Sequence, residues 1–85
     1  MRTTVEISMY PLHDRYLPPI DAFIAALQQE PELTVKVGPT STVIVGAYDR
    51  VFTLLQRAIA ASHDRYGKAV FVTKIIPGYP ADDAL

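Results

Sequence analysis

The order of the apolar segments, and the prolines and glycines between them, most restricts the fold that this chain can adopt. From Thr3 to Tyr10 apolar and polar residues alternate with a period of two, which is typical of a half-buried strand, and Pro11 ends the pattern. Three later stretches rich in β-branched residues are also predicted strands: residues 33–37, 41–47 and 69–76.

Two segments between these strands have helical spacing. In the first, Ile20, Phe23 and Leu27 recur on one face, so an amphipathic helix is predicted there. The second segment follows Asp49, which is the expected N-cap residue. It ends before Gly67, where a left-handed backbone conformation is expected at the helix C-terminus.

The order strand, helix, strand, strand, helix, strand predicts an α+β fold, the ferredoxin-like βαββαβ sandwich. In this fold a four-stranded antiparallel sheet carries both helices on one face. We expect a single domain over residues 1–78 and a flexible C-terminal tail over residues 79–85. The first and third strands are central neighbours, so Ser8–Tyr10 is predicted to lie beside Thr40–Thr42.

The second face of the predicted sheet has no helices to cover it, yet the third and fourth strands are apolar on both sides. With 49% hydrophobic residues in 85, the chain has apolar surface to bury outside a small core. We therefore predict a homodimer or homotetramer that packs through this open face. A monomer with an exposed apolar face is the alternative. Glu6 and Lys74 are expected to be partners on the same face.

Composition excludes several classes of function. Lys and Arg number 8 against 9 Asp and Glu, so the clustered basic excess that binds nucleic acid is absent. The lack of cysteine excludes a disulfide framework and a thiol nucleophile. No apolar run approaches the length of a membrane span, and no signal peptide is recognised, so a cytoplasmic protein is expected. No metal or cofactor is predicted.

The tetrapeptide His-Asp-Arg-Tyr occurs twice, at residues 13–16 and 63–66. Two histidines with two aspartates have the chemistry to bind a metal or transfer protons. The copies fall at non-equivalent points of the two βαβ halves, however, and cations at a helix C-terminus also offset its dipole. The favoured interpretation is that both segments are solvated ends of secondary-structure elements, the first in the loop after the first strand and the second at the end of the second helix. No residue is assigned a catalytic role.

Consecutive hydroxyls at Thr40, Ser41 and Thr42 are more informative because of their position. They begin a central strand and face Met9 and Tyr10 across one ladder of the predicted sheet. Hydroxyls, main-chain groups at a strand end and a tyrosine ring together suit a flat, neutral or weakly cationic heterocycle. A phosphate is not expected there, because it requires arginines or a glycine-rich loop.

Two short motifs link the chain to a known family. The motifs Ile7-Ser8-Met9-Tyr10-Pro11-Leu12 and Ser41-Thr42-Val43-Ile44-Val45-Gly46 resemble the YkoF-like group of thiamine- and hydroxymethylpyrimidine-binding proteins. The resemblance implies ligand binding by the main chain of Met9 and the hydroxyl of Thr42, with Ser41 and Tyr10 as flanking candidates. Members of the YkoF type carry two such modules, so a single-module chain would dimerise to reproduce that arrangement.

The sequence therefore favours non-catalytic binding of thiamine or its hydroxymethylpyrimidine moiety, in a carrier or supply role as a homo-oligomer. One alternative is a small dimeric ferredoxin-like enzyme that transfers protons with His13 and Asp14 or with His63 and Asp64. Another is a regulatory or structural oligomerisation module without a ligand.

Overall fold

The computed structural model describes residues 1–82. Four strands and two helices alternate in the predicted order. The elements are β1 Arg2–Pro11, α1 Leu17–Gln28, β2 Thr34–Val37, β3 Thr42–Ala47, α2 Tyr48–Tyr66 and β4 Ala69–Pro77.

The sheet is antiparallel with the strand order β2-β3-β1-β4, which confirms the ferredoxin-like fold. Central strand β1 pairs with β3 on one side and with β4 on the other. Both helices cover the same face, because Val5 and Ile44 of the sheet share one buried core with Leu27 of α1 and Val51 of α2. The opposite face of the sheet is called the open face below.

The expectation that Asp49 caps α2 is wrong. Ala47 is the N-cap residue, and Asp49 lies in the first turn, where its negative charge still favours the helix dipole. The reason is a long-range contact: β3 runs directly into α2, and the amide of Tyr48 donates to the carbonyl of Met1 at 2.9 Å. At the other end, Gly67 has the expected positive φ of 84°, although its ψ of −149° is extended and not left-handed helical.

Close packing beneath β3 depends on a glycine. Leu33 precedes β2 and is buried in the core. A Cβ atom added to Gly46 would lie 2.2 Å from Leu33 Cδ2, which is far inside van der Waals contact. The glycine therefore lets the segment before β2 approach the central strand.

The open face carries both charged and apolar side chains. Glu6 and Lys74 are paired in the β1–β4 register, and Lys74 Nζ lies 3.4 Å from Glu6 Oε1, which confirms their predicted partnership. Along β4 the same face presents Val70, Val72 and Ile76, all of them exposed. This half of the molecule therefore displays apolar surface to its surroundings.

Residues 79–82 return across the open face after a reversal at Gly78, whose φ is 72°. The hydroxyl of Thr4 donates to the carbonyl of Tyr79 and accepts from the amide of Ala81. Val45, the register partner of Thr4, is fully buried at this end of the face. The predicted looseness of the tail concerns motion and stays a prediction. Residues 83–85 lie outside the described residues.

An ion pair at the end of the described chain adds to these contacts. Arg2 lies 2.7 Å from Asp82 Oδ2, and the hydroxyl of Thr34 donates to the same oxygen at 3.3 Å. The hydrogen bond from the Arg2 guanidinium lowers the pKa of the Asp82 carboxyl below its ordinary value. The carboxylate thus connects β1 with β2, which lie on either side of β3.

Of the helices within residues 1–82, none has the length and apolar character that a membrane crossing requires.

Replacing Thr4 with valine tests how the tail is held. Valine keeps the branched shape but removes the hydroxyl that bonds both Tyr79 and Ala81. We expect the Ala81 amide to exchange its hydrogen faster in Thr4→Val, while amides of the buried β1–β3 ladder keep their protection. Hydrogen exchange followed by NMR measures both. An unchanged Ala81 rate would show that Arg2 and Asp82 hold the tail without Thr4.

Candidate ligand-binding site

A cavity of about 480 Å³ opens at the end of the sheet where β1 finishes and β3 begins. Its walls are the end of β1, the loop that follows it, the first turns of α1 and the turn at residues 38–41. Phe23 of α1 also lines it, and this ring lies 5.0 Å from the ring of Phe71 in β4. The base of the cavity is thus continuous with the hydrophobic core.

The cavity brings together all four residues that the sequence singled out. Met9, Tyr10, Ser41 and Thr42 line it. The β1–β3 register ends where Ile7 faces Thr42, so the last residues of β1 extend past the start of β3. The overhang stays paired with β4, but its main-chain groups that point to the β3 side have no ladder partner there and are available to a ligand.

Thr42 and Ser41 point to opposite sides of the sheet, because side chains alternate along a strand. Thr42 is paired with Ile7, which belongs to the core face, and only 5% of its surface is exposed. Ser41 shares the open face with Glu6, and its hydroxyl donates to Glu6 Oε2 at 3.2 Å. Within residues 1–82, hydrogen bonds engage the hydroxyls of Ser41 and Ser8 but not that of Thr42. The Thr42 hydroxyl is therefore available to contact a ligand.

The turn at residues 38–41 forms one rim of the cavity and is held in place by hydrogen bonds. The amide of Gly38 donates to the carbonyl of Ser41 at 2.8 Å, which closes the turn. The hydroxyl of Ser8 donates to the carbonyl of Thr40 at 3.0 Å. A Cβ atom at Gly38 would lie 3.0 Å from the Ser41 carbonyl oxygen, so glycine also suits this tight turn.

Electrostatically the cavity is close to neutral. Its lining, as far as residues 1–82 describe it, contains neither carboxylates nor lysine or arginine, and the titratable side chains in it are Tyr10, His13 and Tyr16. Among the same residues, no group of three or more His, Asp or Glu side chains could hold a metal ion. The wall combines aromatic rings, hydroxyls and main-chain polar groups, which suits an aromatic heterocycle more than an anion.

The two His-Asp-Arg-Tyr segments have different surroundings. His13 and Tyr16 of the first copy line the cavity, whereas Asp14 does not. The second copy ends α2, where Arg65 lies 5.0 Å from the ring centroid of Tyr66. A hydrogen bond of 3.1 Å from the amide of Leu12 to the carbonyl of Lys68 joins the neighbouring chain segments. The first copy alone contributes to the cavity wall within the described chain.

Sequence reasoning missed the contribution of α1. Tyr16, Ile20 and Ile24 line the cavity together with Phe23. The topology contained the signal, because α1 starts at the end of the sheet where β1 stops. Some of the α1 residues that face the sheet must therefore border the end of the sheet where the cavity lies. Their helical spacing alone does not distinguish a cavity wall from a packed core.

The fold and the cavity together define a small α+β protein with a cavity at one end of its sheet. The model of the thiamine-binding protein family matches residues 5–76, and the chain belongs to this family. No curated protein matches the sequence.

Solved structures with the same fold come from several organisms. A Streptococcus pneumoniae protein is 27% identical over 93% of this chain and 89% of its own, with a TM-score of 0.85. A Thermotoga maritima protein, named for a proposed role in thiamine biosynthesis or salvage, is 20% identical over 95% and 86%, with a TM-score of 0.83. A Bacillus cereus domain of unknown function is 25% identical over 95% and 79%, with a TM-score of 0.76.

Proposed function

We propose that this protein binds thiamine, or its hydroxymethylpyrimidine moiety, in the cavity at the end of β1, without transforming it. In this role it acts as a cytoplasmic carrier or supply protein and works as a homo-oligomer. Membership of the thiamine-binding family supports the thiamine-related ligand. We also propose the ligand's position and contacts, the absence of catalysis and the assembly.

One observation carries the proposal: Met9 and Thr42 line the same cavity, which is large enough for a ring system. An aminopyrimidine presents an amino donor beside a ring-nitrogen acceptor, so it needs a complementary pair on the protein. We assign this pair to a main-chain group of Met9 and the hydroxyl of Thr42, with Ser41 and Tyr10 beside them. Each neutral hydrogen bond contributes about 1 kcal/mol, and burial of the ring adds about 25 cal/mol per Å² of apolar area.

The cationic ring of whole thiamine requires a different partner. Asp14, the carboxylate nearest in sequence, does not line the cavity. Tyr10 and Tyr16 do, and each is about half exposed. Aromatic faces attract cations by about 0.5–2 kcal/mol, so these tyrosines supply a favourable surface for a thiazolium without an ion pair.

A small enzyme is the second candidate, because His13 lines the cavity. A proton-transferring histidine is usually oriented by a third group, and Asp14 was the expected partner. Asp14 lies outside the wall, which favours binding over catalysis. If the protein is a binder, both the wild type and His13→Ala leave the ligand chemically unchanged, and the variant keeps most of the affinity. Ligand turnover that is lost in His13→Ala while binding survives would favour the enzyme.

The open face supports the proposed assembly. Val70 and Val72 are exposed neighbours on this face of β4, Ile76 follows beyond Lys74, and 57% of the surface of Val72 is accessible. Contiguous apolar surface of this kind marks an interface more often than free surface in a monomer. Residues 79–82 cover the end around Thr4, so a second copy would pack on the remaining part, near Glu6 and Val72.

Thr42→Val tests the proposed ligand contact. The substitution keeps the shape of the side chain but removes its hydroxyl, which leaves one polar group of the ligand without a partner. That costs about 1–3 kcal/mol, so affinity should fall by roughly 5- to 150-fold. Isothermal titration with thiamine and with hydroxymethylpyrimidine measures the change.

Thr53→Val is the matched control, because Thr53 is exposed on α2 and takes no part in the cavity. This variant should bind like the wild type. The proposal fails if millimolar thiamine and millimolar hydroxymethylpyrimidine both leave the melting temperature of the wild-type protein unchanged.

Val72→Lys tests the assembly. Lys74 on this face has Glu6 as its partner, whereas a lysine at position 72 would place an additional charge inside the interface between copies, where its desolvation is costly. We expect the mass measured by light scattering to fall to that of the monomer, 9.4 kDa, at micromolar concentration. Gln56→Lys, an exposed helix position, adds the same charge elsewhere and should keep the oligomer. A monomeric wild type would contradict this part of the proposal.

A further inference from the structure

We infer that Glu6, which lies outside the cavity on the open face, is a positioning residue for ligand binding. It holds the segment 38–42 in the position that directs the Thr42 hydroxyl at the ligand. The inference rests on the proposed function and extends it to a residue that touches no ligand. Glu6 is not among the residues that line the cavity.

Two side chains of β1 reach the rim of the cavity from the open face. Glu6 Oε2 accepts from the hydroxyl of Ser41 at 3.2 Å, and the hydroxyl of Ser8 donates to the carbonyl of Thr40 at 3.0 Å. The bond from Gly38 to Ser41 within the turn makes residues 38–41 one closed unit. The two contacts therefore fix the whole turn and not a single side chain.

The alternation of a strand explains how a residue on one face acts on the other. Ser41 and Thr42 are consecutive, so a contact that fixes the first sets the backbone from which the second projects to the opposite side. β3 begins only at Thr42, and its ladder to β1 has its last pair there, so Ser41 lacks the support of a ladder. The hydrogen bond to Glu6 supplies that support at the end of the strand.

The charge of Glu6 is balanced by Lys74 at 3.4 Å. In the single protomer both side chains of this ion pair are well exposed. Exposed pairs contribute little, because water screens them and both side chains lose freedom. The feature that matters for the cavity is thus the acceptor oxygen toward Ser41, and Lys74 is dispensable for binding.

Three variants separate these roles. Glu6→Met has a similar length but no acceptor, Glu6→Gln keeps an oxygen acceptor without the charge, and Lys74→Met removes only the cation. When segment 38–42 occupies its binding position for a smaller fraction of the time, the apparent Kd rises in inverse proportion to that fraction. For one lost hydrogen bond we expect about a three- to tenfold weaker affinity for thiamine in Glu6→Met. Glu6→Gln and Lys74→Met should stay within about twofold of the wild type when light scattering gives them the same oligomeric state as the wild type.

Hydrogen exchange supplies a second readout that does not need a ligand. The Gly38 amide, which bonds Ser41 within the turn, should exchange faster in Glu6→Met and at the wild-type rate in Glu6→Gln. Equal affinity and equal exchange in Glu6→Met and wild type would overturn the inference while leaving the proposed function intact. Equal loss in Glu6→Met and Glu6→Gln would also overturn it, since charge would then be the cause. A wild-type protein that binds neither thiamine nor hydroxymethylpyrimidine would overturn both.

Discussion

The antiparallel pairing of β1 with β3 is the constraint on which the rest of the structure depends. Its register places Val5 opposite Ile44 in the core and Ile7 opposite Thr42 at the edge of the cavity. A shift of one residue would turn Thr42 to the open face and bury Ser41 in its place, because the side-chain period is two. The hydrophobic pattern that fixes the core thus also fixes which hydroxyl can face a ligand.

Most of the fold could be predicted from local patterns, because alternation, helical spacing and prolines act over a few residues. The start of α2 could not, since Asp49 has the local properties of a cap while a hydrogen bond from Tyr48 to distant Met1 sets where the helix begins. The path of residues 79–82 was equally hidden. It depends on polar contacts with Thr4 and Arg2, which are 75 and 80 residues away in the sequence and leave no periodic signal.

The candidate site was predictable to the extent that topology determines it. Met9 and Thr42 had to lie at the same end of the sheet once β1 and β3 were adjacent and antiparallel, and the pattern of the strands suggested that Glu6 and Lys74 are partners. The roles of these residues toward a ligand stay predictions. Tyr16 was noted in the first His-Asp-Arg-Tyr segment but not as part of the cavity wall, because that contribution depends on how the loop after β1 folds back over the strand end. The bond between Ser41 and Glu6 depends on a diagonal contact, which requires the register and not only the strand order.

The two ends of the sheet differ in how much change in chain length they can absorb. Between β3 and α2 there is no connecting loop, so an inserted residue there would displace either the central strand or the longest helix. Residues 12–16, by contrast, are exposed, join β1 to α1 and contribute His13 and Tyr16 to the cavity wall. Insertions and substitutions in that short connection can reshape the pocket at little cost in stability. Related proteins can thus diverge in the molecules they recognise while keeping the same scaffold.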